Sequence, residues 1–226
     1  MRLVLIIVSI LSLALAGDDA RADTCPLSCV FDVCTTVPRN SSTRCGPTVF
    51  GADACGTAGY DLVAGSAGAS VNSGGDGGPF AEARATDRFV LTGPTSPDAV
   101  SFTAALSVVA GAGCFCGGTE GTLREGAGTA LSVSVPYYDP VCGCPAYFVD
   151  RILSLSLRHR VGEPFELTYT ASAGAQGISV SSRASVTLSF PGLPPGYGIV
   201  SCQGFATGAP VPTRPASWGS LKVRYR

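Results

Sequence analysis

Strict alternation of apolar and polar residues near the C-terminal end constrains the fold of this chain more than any other feature. Residues 165–173 place apolar side chains at every odd position, and residues 184–190 place them at every even position. A period of two sends alternate side chains to opposite faces of a strand, so both stretches predict strands with one buried and one solvated face. Runs rich in glycine or proline at 174–177 and 191–196 mark the turns that follow them.

Weaker alternation over residues 80–92, 102–110, 131–135 and 147–161 adds further strands, for a total of roughly eight. The chain has 29 glycines and no long helical pattern, which favours short strands joined by many turns. We therefore predict an all-β fold, an antiparallel two-sheet sandwich that is jelly-roll-like, over residues 60–205. Its inner face is predicted to hold Ala83, Ala85, Phe89, Leu91, Phe102, Ala104, Leu106, Val108, Ala110, Leu153, Leu155 and Leu157.

The N-terminus has the composition of a secretory signal peptide. Arg2 precedes an apolar run that ends at Ala16, and Ala20-Arg21-Ala22 fits the small-residue cleavage pattern. The apolar run is short for a bilayer-spanning helix, so we predict that residues 1–22 are removed, with an uncleaved anchor as the alternative. The mature protein is expected to be secreted, and to be extracellular, on the cell surface or periplasmic.

The charge balance gives no indication of a nucleic-acid partner. The chain carries 15 basic and 16 acidic residues, for a formal net charge of -1. Residues 1–22 contain equal numbers of each sign, so their removal leaves the balance unchanged. We therefore expect neither nucleic acid nor an anionic membrane surface as a partner.

All ten cysteines follow the predicted cleavage site, and an even number of cysteines in an exported chain indicates disulfides. They are Cys25, Cys29, Cys34, Cys45, Cys55, Cys114, Cys116, Cys142, Cys144 and Cys202. Five precede Gly56 and five follow Ala112, so if all are paired, at least one bridge joins the N-terminal segment to the later strands. Cys202 is the candidate for this bridge. We predict that residues 23–59 form an irregular, disulfide-rich flap.

Two C-x-C motifs, Cys114-Phe115-Cys116 and Cys142-Gly143-Cys144, allow a more specific prediction. Residues two apart on a strand share a face, and a disulfide between them would close a strained ring, so each cysteine should bridge elsewhere. If the two segments run antiparallel, Cys114 faces Cys144 and Cys116 faces Cys142. A four-thiolate zinc site is the alternative, but structural zinc sites usually space each pair by two or more residues. We expect no metal and no other cofactor.

Four segments of the chain resemble a known domain family. The segments VGEPFELTYTASAGAQG and ASVTLSFPGLPPGYGIVSCQGF resemble the C-terminal half of a recurrent β-sandwich of exported and cell-surface bacterial proteins, of the choice-of-anchor or PEP-CTERM-associated type. FAEARATDRFVLTGP and AVSFTAALSVVAGAG resemble its other half. The resemblance implies a fold and an exported location but no assigned activity. This chain departs from the family in its ten cysteines and in lacking the Pro-Glu-Pro tail.

The C-terminal end is predicted to be a Pro-rich linker at 206–216 and a basic, aromatic tail at 217–226. The tail residues that suggest a function are Trp218, Leu221, Lys222, Tyr225 and Arg226. Their spacing fits a short basic amphipathic helix that sorting machinery could recognise. The sequence SLKVRYR also fits an edge strand that completes the sandwich.

We predict that the chain is not an enzyme. His159 is the only histidine, it lies between Arg158 and Arg160, and we expect it at a strand end on the surface. No G-x-S-x-G nucleophile motif occurs. Glu163 and Glu166 are three residues apart, which places them on opposite faces of a strand rather than in a catalytic pair.

Two functions therefore remain. The first is a structural or adhesive module outside the cell, stabilised by disulfides. The alternative is a glycan- or ligand-binding module that uses loops at one end of the sandwich, with Tyr137, Tyr138 and Tyr147 stacking on the ligand. A cell-surface glycan and the sorting machinery are the expected partners.

Overall fold

The computed structural model describes residues 25–47, 53–73, 78–113, 117–135, 147–175 and 180–208. Within these ranges the chain forms fourteen strands and no helix. The strands are β1 (Ser28–Val30), β2 (Val33–Thr35), β3 (Arg39–Pro47), β4 (Asp53–Asp61), β5 (Ser66–Ser73), β6 (Phe80–Thr92), β7 (Val100–Ala112), β8 (Gly117–Glu125), β9 (Leu131–Val135), β10 (Tyr147–His159), β11 (Pro164–Ala175), β12 (Val180–Ser189), β13 (Gly198–Ser201) and β14 (Ala206–Gly208).

The strands form two antiparallel sheets. Sheet A has the order β14-β13-β6-β11-β8-β9, with the β1–β2 hairpin also attached to β6, and sheet B has the order β10-β7-β12-β5-β4-β3. The eight strands β5 to β12 fall into the orders β5-β12-β7-β10 and β6-β11-β8-β9, which is the arrangement of a jelly roll. The predicted fold class is therefore confirmed.

The cysteine-rich N-terminal segment differs from the prediction of an irregular flap. Strands β3 and β4 extend sheet B beyond β5, and β1 pairs with β6 in sheet A. The predicted boundary at residue 60 falls inside β4. The buried positions of β4 include Ala54, Gly56 and Ala58, whose side chains are so small that they give a weak hydrophobic signal. Tyr60 is the one large buried side chain described in these two strands, so they gain most of their order from backbone pairing and disulfides.

The C-terminal linker also begins later than predicted. Residues 206–208 form β14, which pairs with β13 at the edge of sheet A. The signal peptide at 1–22 and the tail at 217–226 lie outside the described residues, so the predictions for them stay predictions.

The core lies between the two sheets, and the inner faces follow the predicted alternation closely. The inner residues predicted in β6, β7, β11 and β12 are all buried. Four phenylalanines fill one end of this core: the Phe89 ring centroid lies 5.8 Å from Phe165, 5.6 Å from Phe190 and 5.8 Å from Phe205. Burial of such rings contributes the largest share of core stability per residue.

Edge strand β10 is less buried than its sequence pattern suggests. Leu157 is 2% exposed, whereas Leu153 and Leu155 are only partly buried. The reason is its place at the end of sheet B, where β7 is its one neighbour in the sheet. Its two apolar residues on the outer face, Phe148 and Ile152, are 69% and 67% exposed.

Three disulfides join the six described cysteines. Cys25 and Cys202 are bridged across 177 residues, with their Cα atoms 5.7 Å apart, which confirms the predicted link from the N-terminal segment to a later strand. The other two bridges, Cys29–Cys34 and Cys45–Cys55, join residues directly opposite each other in hairpins.

The four cysteines of the two C-x-C motifs lie outside the described residues, so their pairing stays a prediction. The strands next to the motifs, β7 and β10, run antiparallel, with Tyr147 opposite Ala112. This orientation is the one that the predicted pairing of Cys114 with Cys144 and Cys116 with Cys142 assumes.

His159 does not lie free on the surface as predicted. Its Nε2 atom is 2.7 Å from Glu125 Oε1, and its side chain is 14% exposed. The imidazole ring stacks on Phe165 with the ring centroids 4.3 Å apart and an angle of 10° between the planes. The contact connects the end of β10 in sheet B to the end of β8 in sheet A, so His159 stabilises the association of the two sheets.

Candidate ligand-binding face

The outer face of sheet B has unusually short side chains. Burial alternates along β5 and β12, so the residues between the buried positions project away from the core. On β5, β12 and β7 these outward positions are Ser66, Gly68, Ser70, Asn72, Ser181, Arg183, Ser185, Thr187, Ser107, Val109 and Gly111. The short side chains leave the backbone of the sheet accessible from this side.

A row of small residues crosses four strands of this face. Ser185 lies opposite Gly68, Gly68 lies opposite Gly59, and Gly59 lies opposite Ser41. A groove of about 630 Å³ lies over this row and is also lined by Arg39, Asn40 and Asp61.

Two further grooves continue the first one across the sheet. The second, of about 420 Å³, shares Gly59 and Gly68 with the first and is lined by Arg183. The third, of about 450 Å³, shares Arg183 with the second and reaches Phe148 on β10. We call the three grooves together the trough. It crosses six strands, a distance of roughly 24 Å at the usual spacing between strands.

Two glycines in the trough have different roles. A Cβ atom on Gly59 would come within 2.9 Å of the Asn40 carbonyl oxygen and of Ser41 Cβ, so β3 can pair closely with β4 because residue 59 has no side chain. A Cβ atom on Gly68 would have an ordinary contact of 3.6 Å with the Ala184 carbonyl oxygen. The fold therefore accepts a side chain at position 68, and its absence keeps the floor of the trough low.

An ion pair closes the β3–β4 end of the trough. Arg39 Nε lies 2.7 Å from Asp61 Oδ2, and Asp61 Oδ1 accepts a hydrogen bond of 3.0 Å from the backbone N–H of Ala64. Partial burial acts to raise the pKa of Asp61, but the hydrogen bonds from Ala64 and Arg39 outweigh it, so the pKa is lowered. The pair is therefore ionised at neutral pH and offers both donors and acceptors to a ligand.

An exposed aromatic ring lies at the opposite end. Phe148 is 69% exposed and pairs with Gly111, so no side chain on β7 covers the neighbouring position. Arg183, on the adjacent strand β12, lines the same groove. One end of the trough thus offers a charged pair, and the other offers an apolar ring beside a guanidinium.

The outer face of sheet A has a different character. Its strands β6, β8 and β11 carry long charged side chains at their outward positions, namely Glu82, Arg84, Arg88, Glu120, Arg124 and Glu166. Long charged side chains at neighbouring positions cover the backbone and keep a surface solvated. This contrast identifies the outer face of sheet B as the candidate site.

Among the described residues, one carboxyl group is buried inside the sandwich. Asp87 is 0% exposed, and its Oδ1 atom accepts a hydrogen bond of 2.7 Å from the backbone N–H of Arg88. Burial raises the pKa of Asp87 to about 6, against the opposing effect of hydrogen bonds from Ser201, Arg88 and Gln203. Burial also raises the pKa of Tyr169, on the neighbouring strand β11. In the described ranges, no group of three His, Cys, Asp or Glu residues could hold a metal ion.

The residues predicted to bind a ligand are not those of the trough. Tyr137 and Tyr138 lie outside the described residues, and so do the tail residues Trp218, Leu221, Lys222, Tyr225 and Arg226. Tyr147 begins β10 opposite Ala112, and nothing further is described of its side chain. The alternation at residues 184–190 predicted a solvated outer face for β12 but no ligand-binding role for its serines. The sequence signal for the site was the shortness of these side chains, because exposed strand positions usually carry longer, charged residues.

The part of the chain that the structure describes contains no helix that could span a membrane. No family model matches the chain, and no curated protein matches it. Membership of the β-sandwich family named above therefore stays a prediction.

Among solved structures, the chain is similar to TmCBM61, whose structure was determined in complex with β-1,4-galactotriose. The two share 10% sequence identity, and the match covers 67% of this chain and 88% of that chain with a TM-score of 0.25. At this TM-score the likeness supports no inference about the present chain.

Proposed function

We propose that this chain is an exported, non-catalytic binding module that holds a glycan chain in the trough on the outer face of sheet B. One observation carries the proposal: an open trough, floored by Gly59 and Gly68, is lined by short hydroxyl-bearing side chains and ends at an exposed aromatic ring. This location replaces the sandwich-end loops as the favoured site.

The chemistry of the trough matches that of a sugar. Each sugar hydroxyl both donates and accepts hydrogen bonds, and so do serine and threonine hydroxyls and the asparagine amide. Arg183 and the Arg39–Asp61 pair provide charged partners, whose hydrogen bonds are the stronger ones. The apolar face of a sugar ring can stack on Phe148, which is already free of neighbours on β7.

Other classes of ligand fit this surface less well. Protein interfaces have an apolar centre enriched in aromatic residues and methionine, whereas the middle of the trough is serine and glycine. Nucleic acid requires a basic surface, and the net charge of the chain is -1. Drug-sized apolar ligands occupy enclosed pockets, and the trough is open to solvent along its length.

A purely structural role is the second candidate, and the three disulfides favour it. Disulfides form and persist outside the reducing cytosol, and bridges of this number stabilise a chain against unfolding. The disulfides are equally consistent with an exported glycan-binding module and with an exported structural module. Retention on a glycan is therefore the property that separates the two.

The proposal is tested by retention of the purified protein on an array of polysaccharides, followed by calorimetric titration with the best ligand. Gly68→Ile fills the floor of the trough with a side chain that favours a strand, and should abolish binding. Thr170→Ile, which places the same side chain on the outer face of sheet A, is the matched control and should bind as the wild type does.

Two further variants locate the site along the trough. Arg183→Ala and Phe148→Ala should each weaken binding about tenfold, because each removes a contact worth about 1 to 2 kcal/mol. Tyr137→Ala and Tyr138→Ala should leave binding unchanged. If the tyrosine variants lost binding and Gly68→Ile did not, the binding site would lie in the loops at the end of the sandwich. If the protein were retained on no glycan, the structural role would be the remaining function.

A further inference from the structure

Among the described residues, strand β10 pairs with β7 alone and is a sheet edge of unusual length. In the described part of the chain, the other edge strands are shorter, with nine residues in β3, which ends at Pro47, five in β9 and three each in β2 and β14. Strand β10 runs for 13 residues and contains no proline, glycine or lysine. Natural sheet edges are normally kept short or carry proline or charged side chains, because an open edge pairs with another strand. Strand β10 has charged side chains at Asp150, Arg151 and Arg158, but it is neither short nor broken by proline.

The outward side chains of β10 are also suited to contact with another chain. Phe148 and Ile152 are 69% and 67% exposed, the two highest values among the large hydrophobic residues described. Asp150 and Arg158 project from the same face and are exposed. Neither has an oppositely charged partner among the described residues, because Asp150 lies opposite Val109 and Arg158 lies opposite Ser101.

We propose that β10 pairs with β10 of a second copy of this chain, antiparallel and about a two-fold axis through Ser154. Asp150 and Arg158 each lie four residues from Ser154, so the axis places Asp150 opposite Arg158 of the partner subunit, and the reverse pair forms by symmetry. Ile152 lies two residues from the axis and packs beside Ser156 of the partner subunit. The backbone N–H and C=O groups of β10 that have no partner among the described residues then satisfy those of the second copy.

The charges select this register over its neighbour. A shift of two residues, which keeps the same side chains on the outer face, in one direction places Asp150 opposite Ser156 of the partner subunit, so both attractive pairs are lost. In the proposed register two attractive pairs form on one face. The pairing joins the two copies of sheet B into one continuous sheet, with Phe148 of each copy near the interface. It requires no ligand, so it stands independently of glycan binding.

Charge reversal gives a test with an internal control. Asp150→Arg places Arg opposite Arg158 of the partner subunit, and Arg158→Asp places Asp opposite Asp150 of the partner subunit. Each variant alone should weaken self-association about tenfold, because two attractive pairs become repulsive. An equimolar mixture of the two variants restores both pairs and should associate as the wild type does, and so should the double variant.

Sedimentation velocity over a concentration series of the full-length, oxidised chain is the measurement. A dimer in the wild type, loss in each single variant and recovery in the mixture support the proposal. A monomeric wild type at all concentrations overturns it, and so does a dimer that both single variants leave unchanged. Dimerisation that occurs only after residues 209–226 are deleted also overturns it, since the tail would then be the natural occupant of the edge.

Discussion

Cys25 and Cys202 join the first described residue of the chain to the strand β13 region at its far end, across 177 residues and with their Cα atoms 5.7 Å apart. In the unfolded chain this bridge closes the longest loop of the three. Because a disulfide stabilises mainly by restricting the unfolded state, the double variant Cys25→Ala/Cys202→Ala should lower the free energy of unfolding by about 5 kcal/mol. Guanidinium unfolding followed by circular dichroism measures it.

The matched control is Cys45→Ala/Cys55→Ala, whose bridge spans 10 residues. The shorter loop predicts a loss of about 3 kcal/mol. If the control variant lost as much stability as the long-loop variant, the prediction that Cys25–Cys202 is the more stabilising of the two bridges would be wrong.

Asp87 should make stability depend on pH. Its pKa in the folded protein is about 6, above the value of 3.8 for an unperturbed aspartate, so the folded state holds this proton more tightly. The resulting stability is fully present below about pH 4 and is lost as pH rises through 6. The difference amounts to about 3 kcal/mol. Asp87→Asn removes the titration, so its stability relative to the wild type should rise by that amount between acidic and neutral pH.

All other ionisable groups titrate in both proteins, so subtracting the two pH profiles isolates Asp87. The substitution retains Oδ1, which accepts the hydrogen bond from the backbone N–H of Arg88. Urea midpoints at a series of pH values provide the profiles. Parallel profiles for the wild type and Asp87→Asn would show that folding does not raise the pKa of Asp87, which would contradict the prediction.

Gly121 should be required for the packing of the two sheets. A Cβ atom there would lie 2.6 Å from Val108 Cγ1 and 3.1 Å from Val186 Cγ1, and both valines belong to the opposite sheet. Gly121→Ala should therefore cost about 1 to 3 kcal/mol through overpacking. Gly68→Ala, also in a strand, meets an ordinary contact and should change stability by less than about 0.5 kcal/mol. Equal thermal unfolding of the two variants would disagree with this close approach of the sheets.

The strands with large alternating side chains were predictable, and the structural elements built from small residues were not. Phe165, Leu167 and Tyr169 alternate with polar residues and are buried as expected. A strand with large apolar side chains on one face is stable only when that face is turned toward the core. Strands β3 and β4 are rich in serine, glycine, alanine and threonine, so their sequences show no hydrophobic alternation from which a strand could be predicted.

The candidate site was missed for a related physical reason. The trough is made by side chains that are short or absent, as at Gly59 and Gly68, and its shape depends on which strands become neighbours. Strand order in a sheet comes from long-range pairing, which local alternation does not specify. The disulfide at Cys202 was predictable, because the division of the cysteines into five and five required a long-range bridge.

The remaining four cysteines should form two bridges between the C-x-C motifs. The six described cysteines pair among themselves, so full oxidation leaves Cys114, Cys116, Cys142 and Cys144 to pair with one another. The antiparallel arrangement of β7 and β10 favours Cys114–Cys144 and Cys116–Cys142. Peptide mapping by mass spectrometry without reduction should recover these pairs. Four reactive thiols in the denatured, unreduced protein would contradict the prediction and would favour the alternative of a four-thiolate zinc site.

Glycan binding in the trough is the central claim, and nuclear magnetic resonance tests it most directly. The backbone amides of isotope-labelled protein would be followed during titration with the glycan that the array selects. We expect the largest shifts at Gly59, Gly68, Arg183 and Ser185, with the outer face of sheet A unperturbed. Shifts confined to sheet A or to the loops at the ends of the sandwich, with these four amides unchanged at saturation, would contradict the account.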